Sequence, residues 1–183
     1  MDQAPAGRAV VVLARSGDGD AFESLVRSRM DSMYRLSLAI LGDRNDAADA
    51  AQETFIAAWR QLPSLRDPDR FDAWLGRVAV NSCRMVLRAR SRRRVRELPM
   101  EELEAVERGT VAGNPELADA ARLRAAIQHL SLDQRAILAL HHLEERPLGE
   151  VAEILGIPVG TVKSRLFSAR AALDRALRAE TDR

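Results

Sequence analysis

An all-α fold, two small helical domains joined by a flexible linker, is predicted by three observations. Apolar residues recur every three or four positions along most of the 183-residue chain, with no strand-like alternation of useful length. The composition is rich in Ala, Leu, Arg and Glu and only 4% aromatic, which favours helix over sheet. The periodicity fails over one long interval, Glu97 to about Pro115, where Pro99, Gly109, Gly113 and Pro115 punctuate an acidic stretch. Residues 1–19 are expected to be an N-terminal extension, 20–96 the first domain, 97–115 the linker and 116–183 the second domain.

The elements follow in order. The first nineteen residues are small and polar around a short apolar patch, Val10 to Leu13. Asp20 is a candidate cap for a helix carrying Phe22, Leu25, Val26, Met30, Met33, Leu36, Leu38, Ile40 and Leu41, ending at Gly42. Asp43 or Asn45 opens a second helix, with Ala48, Ala51, Phe55, Ala58, Trp59 and Leu62 as its buried face and Pro63 as its stop. The loop PSLRDPDRFD leads to a third helix, capped by Asp69 or Asp72, that carries Phe71, Trp74, Leu75, Val78, Cys83, Val86 and Leu87 and then dissolves into ARSRRRVR. After the linker, Leu123, Ile127 and Leu130 mark one helix, and Ser131 caps the next, LDQRAILALHHL. Pro147 starts a short helix with Val151, Ile154 and Leu155. Gly156 supplies a positive φ for a tight corner, and Pro158 sets the approach to the last helix.

The net charge of +1 conceals an asymmetry. Arg84 to Arg96 is densely cationic, Glu97 to Glu107 mainly acidic, and Lys163 is the only lysine. Cys83 is alone, so neither an intramolecular disulfide nor a cysteine-based metal site is available, and a reducing compartment is expected. No apolar stretch reaches signal-peptide or membrane-spanning length. A cytoplasmic protein without membrane insertion is expected. His129, His141 and His142 have no nucleophile or carboxylate constellation around them, so no catalytic residue, metal site or cofactor is expected.

A short helix, a glycine turn and a longer helix make a helix-turn-helix, whose second helix enters the major groove by its N-terminal end. Val162 and Leu166 are four apart and belong to the core, so Lys163 and Arg165 project elsewhere. Gly160 and Thr161 are small enough for the helix terminus to approach a phosphate closely.

LSLDQRAILALHHLEERPLGEVAEILG followed by PVGTVKSRLFSAR closely resembles region 4 of bacterial sigma factors. DAADAAQETFIAAWRQL resembles region 2.2, and RFDAWLGRVAVNSCRMVLRARSRRR regions 2.3 and 2.4. With no recognisable segment ahead of the first motif and no domain between the two, the chain resembles an extracytoplasmic-function (ECF) sigma factor of the sigma-70 family. The resemblance implies binding to core RNA polymerase, through the β′ coiled coil and the β subunit, and to promoter DNA, duplex at the −35 element and melted at the −10 element. It places Asp49, Gln52 and Glu53 at the β′ contact and Leu65, Arg66, Asn81, Arg84 and Arg88 at the −10 element, with Arg92, Arg93 and Arg94 along the neighbouring phosphates. Thr161, Lys163, Ser164, Arg165, Phe167 and Arg170 fall at −35-reading positions. Ala48 stands where relatives often carry Glu, and Ser168 where many carry Arg. An anti-sigma factor clamping between the halves is a further implied partner. The alternative is a helix-turn-helix regulator without a sigma role, which would need a ligand or phosphoacceptor domain that the sequence pattern does not suggest.

Overall fold

Three aspartates define where the N-terminal helices begin. In the computed structural model, which describes residues 7–96 and 115–181, Asp18 Oδ1 accepts from the Ala21 amide and starts α2 (Gly19–Leu41). Asp43 Oδ1 accepts from the Asp46 amide and starts α3 (Arg44–Gln61). Asp67 Oδ1 accepts from the Asp69 amide and starts a 3₁₀ turn, Pro68–Arg70, that runs into α4 (Phe71–Arg96). Each cap satisfies an amide that the helix leaves unbonded. The capping residue of α2 is therefore Asp18 instead of Asp20, and that of the third segment is Asp67. Gly42, at φ +76°, closes α2 in the left-handed conformation that suits glycine.

Two expectations need correction here. The N-terminal extension is not merely polar: residues 8–15 form α1 (Arg8–Arg15), with Val11 and Ala14 buried against α2. The arginine-rich end of the third predicted helix does not dissolve, since α4 continues as helix to Arg96. The side chains of Arg93 and Arg94, and the linker, lie outside what the structure describes.

The C-terminal half comprises α5 (Pro115–Gln128), α6 (Leu132–Leu138), α7 (Leu148–Leu155) and α8 (Val159–Thr181). Ser131 caps α6 in a full capping box with Gln134, as its hydroxyl suggests. The predicted single helix through His142 is interrupted: Ala139–Leu143 forms a π-helical turn capped at Glu144, and Glu145 follows at φ +52°. Among the described residues there is no strand.

The core is continuous across both halves. Leu36, Ile40, Phe71, Leu75 and Val80 join one cluster with Ile137, Leu140, Val151, Ile154 and Val162. α4 packs on α7, and α2 on α6. Gly76 permits the α4–α7 approach, because a Cβ there would lie 3.3 Å from Ile154 Cδ1. Polar links accompany it: Ser32 Oγ donates to Glu144 Oε2 at 2.8 Å, and Arg70 pairs with Glu153. Arg135 is buried in this seam with its Nη1 on Gln128 Oε1 and, among the described residues, no partner for Nε. Burial pushes the pKa of the Cys83 thiol, in the same core, up to about 11.

Candidate nucleic-acid interface

The turn before α8 is built as the sequence predicts. Gly156 sits at φ +67°, Ile157 N–H returns to Ala152 O, and Thr161 and Val162 amides bond Pro158 O. Val162, Leu166 and Ala169 are buried against the rest of the C-terminal half. That burial fixes the rotation of α8, so Lys163, Ser164, Arg165, Phe167 and Arg170 all reach solvent, with Thr161 half-buried at the start. Phe167 is 77% exposed, a large apolar ring with nothing to cover it, flanked by cations. Ser164 Oγ donates to Thr161 O. Arg170 donates to His142 Nε2 at 3.1–3.3 Å, and burial together with the Arg170 charge lowers the His142 pKa, keeping the ring an acceptor. Six residues singled out from sequence thus share one surface.

The second surface lies on α4 and the segment before it. Asn81, Arg84 and Arg88 fall on one stripe of α4, spaced three and four apart. Arg77 extends the same stripe, is exposed, and lies against Gly156. It was missed from the sequence, although the spacing 77, 81, 84, 88 was there to find it. Arg84 Nη1 donates to Asn81 Oδ1 at 3.0 Å, so the amide oxygen of Asn81 is engaged and its NH₂ remains the group it can offer. Between α3 and α4, Leu62, Leu65, Pro68 and Phe71 are buried at intervals of three, the period of the two 3₁₀ turns there. The Leu65 side chain is therefore an anchor of the segment that the resemblance places at the −10 element, and Arg66 beside it is exposed. Trp74, half-buried and 5.8 Å from the Phe71 ring, lines the open groove between this loop and α7.

On α3, Asp49 and Gln52 are exposed and Glu53 is half-buried, all on the side facing away from the core. Trp59 was expected inside but is 44% exposed, its ring tilted against that of Phe22 at 4.8 Å, and Ile56 is 37% exposed. Ala48 is exposed as well. The buried face of α3 is Ala47, Ala50, Ala51, Thr54, Phe55 and Ala58, and Trp59 lies off that face. Acids, an amide and exposed apolar groups so form one continuous strip.

The two cationic surfaces meet at one carboxylate. Asp133 at the start of α6 accepts from Arg84 Nη2 at 3.0 Å and stands 3.8 Å from Arg165 Nη1. Among the described residues no cluster of three or more metal-ligating side chains exists, and no helix is long and apolar enough to cross a membrane.

These positions coincide with known sequence families. Residues 25–93 match the model of sigma-70 region 2, and residues 120–173 that of sigma-70 region 4. The RNA polymerase sigma-H factor of Pseudomonas aeruginosa is 34% identical over 92% of this chain and 92% of its own. The chain is an ECF sigma factor of the sigma-70 family. The ECF sigma factor SigW of Bacillus subtilis is 32% identical, over 90% of this chain and 92% of its own. Among solved structures, CnrH in complex with the cytosolic domain of CnrY matches this sigma factor with a TM-score of 0.70 and 27% identity, covering 95% of this chain and 98% of CnrH. RpoE of Bartonella quintana, solved with the anti-sigma factor NepR, has the same fold at a TM-score of 0.67 and 23% identity, covering 86% of this chain and 96% of its own.

Proposed function

We propose that this sigma factor docks on core RNA polymerase through the α3 strip, reads a −35 element as duplex with α8, and reads a −10 element as it melts with the α4 stripe and the 62–70 loop. The observation that carries the reading is the pair of separate cationic surfaces, Arg77–Asn81–Arg84–Arg88 and Lys163–Arg165–Arg170, on two helical units. A rigid helix anchored by Val162 and Leu166 suits a duplex groove. A loop beside a half-buried tryptophan and a free amide suits an unstacked base. The acidic and apolar α3 strip suits a basic coiled coil on the polymerase. The protein works without a catalytic residue or cofactor of its own, in the cytoplasm where core polymerase is found.

The geometry adds a condition. The −35 and −10 elements are about 25 base pairs apart, roughly 85 Å of duplex at about 3.4 Å per base pair. Arg84 and Arg165 share one carboxylate, so the halves must part before both elements are read. Exposed ion pairs of this kind contribute about 0–1 kcal/mol each, weak enough to exchange for DNA phosphates. A donor and an acceptor dye attached at Ser91→Cys and Arg175→Cys are expected to lose transfer efficiency when core polymerase and promoter are added. Unchanged transfer would sink the separation. Cys83, buried and with its thiol pKa near 11, does not compete for the labels. The same seam is the site we assign to a regulatory anti-sigma partner, as CnrH is held by a cytosolic domain.

The decisive experiment is run-off transcription with sigma-free core polymerase and a pool of promoter fragments. Discrete starts sharing two spaced upstream motifs support the reading. DNA binding by the protein alone, without starts, would replace it with a plain helix-turn-helix regulator. In the same assay Asn81→Ala is expected to relax preference at one −10 position by about 1–3 kcal/mol while overall affinity changes less. Identical −10 preference in the variant would remove Asn81 from the pocket.

A further inference from the structure

We infer that Arg15, on a helix outside both matched regions, is a positioning residue that sets how the 62–70 loop is presented to the promoter. The inference rests on the reading of that loop as part of the −10 site. α1 is fastened to the fold by Val11 and Ala14, which are 0% and 2% exposed. Its C-terminal end is held by local bonds, with Ser16 Oγ and the Asp18 amide both returning to Leu13 O. From this fixed base Arg15 Nη1 donates to the Leu65 carbonyl at 3.1 Å, across fifty residues of sequence. Arg8 pairs with Asp69 farther along the same loop. α1 thus touches the loop ahead of its second 3₁₀ turn, at Leu65, and within that turn, at Asp69.

Leu65 leaves the first 3₁₀ turn in extended backbone, at φ −66° and ψ 112°, as Asp67 enters the second, at φ −116° and ψ 106°. The Leu65 carbonyl opens the stretch that joins the two turns. A trans peptide is planar, with its carbonyl and the next amide on opposite edges. A guanidinium holding the Leu65 carbonyl on the α1 side therefore aims the Arg66 amide the other way. That amide donates no hydrogen bond among the described residues. The Arg66 side chain is exposed beside it. Without the Arg15 bond, the Leu65 side chain still anchors the loop, but the peptide plane is free to turn. A bond from a charged donor to a carbonyl is stronger than a neutral one, and here it is partly shielded from water. No other bond to the Leu65 carbonyl is found among the described residues.

The test is a −10 library, each single-base change read by run-off transcription, with wild type, Arg15→Ala and Arg15→Lys. Arg15→Ala is expected to compress the discrimination at one −10 position about tenfold, with core polymerase binding and −35 preference within about twofold of wild type. Arg15→Lys, which keeps a cationic donor, is expected to recover most of that discrimination. Loss by one common factor across the whole library, or no change at all, would overturn the inference, because a merely structural role lowers every promoter alike. A wild type that ignores −10 sequence would refute the reading of the loop. The brace is then judged by amide resonances: those of Arg66 and Asp67 must move in Arg15→Ala while those of α3 stay in place, and unmoved resonances overturn it.

Discussion

Replacing Lys163 and Arg165 together by alanine is expected to lower initiation at −35-dependent promoters by about a hundredfold or more while core polymerase binding is retained. Each cation contributes about 1–3 kcal/mol if it meets a base edge, and the two act on one groove. A phosphate contact contributes a sequence-independent part instead, and its loss reduces the salt slope by about one per contact. Both side chains are exposed, and the helix that carries them is held from its other face by Val162, Leu166 and Ala169. The substitutions therefore leave the fold intact. Arg165 also gives up its approach to Asp133, 3.8 Å away, which at that distance and exposure is worth little. Run-off transcription on matched promoters with intact and scrambled −35 elements, alongside a direct core-binding titration, separates the effects. If core binding falls by the same factor as initiation, α8 is not the −35 reader.

The largest expected effect on stability comes from Arg29. It is buried in α2, and its guanidinium faces the Asp72 carboxylate, with Nε on Oδ1 at 2.8 Å and Nη2 on Oδ2 at 3.4 Å. The side chains are 8% and 21% exposed. Arg29→Ala leaves the carboxylate in a poorly solvated place without this partner, which costs about 3–5 kcal/mol. For a chain of this size that is a fall in melting temperature of roughly 10 °C or more. The paired change Arg29→Met with Asp72→Leu removes both charges and is expected to restore most of the loss. Thermal unfolding followed by circular dichroism reads both. A single variant that melts within a degree or two of wild type would show that the pair is not buried in solution. The pair ties α2 to the first turn of α4, so a slack contact there also loosens the loop that precedes α4.

Much of this was legible in the residues. The helix-turn-helix could be placed to the residue, because Gly156, Pro158, Val162 and Leu166 each have one reading that fits the others. The rotation of α8 followed, and with it the exposure of Lys163, Arg165, Phe167 and Arg170. Ser131 and Asp43 were readable as caps for the same local reason. The errors share a different cause. Arg29 and Trp59 exchange the sides that hydropathy gives them: the arginine is inside because Asp72 comes to meet it, and the tryptophan is partly outside, against the Phe22 ring. Leu65 was placed in a base-reading loop, and only its burial shows that it anchors the loop. α1 escaped because eight residues are too few to form a helix alone, and α2 supplies the surface that stabilises it.

The sequence by itself determined the fold class, the family, and which side chains of α8 face solvent, since these depend on periodicity, caps and turns within a few residues. Only the tertiary structure decided that Arg77 lies against Gly156, that Asp133 sits between two cations 81 positions apart, and that Arg15 holds a carbonyl fifty residues away. Contacts between distant segments depend on how packed helices are rotated and spaced. Local propensity carries no information about either.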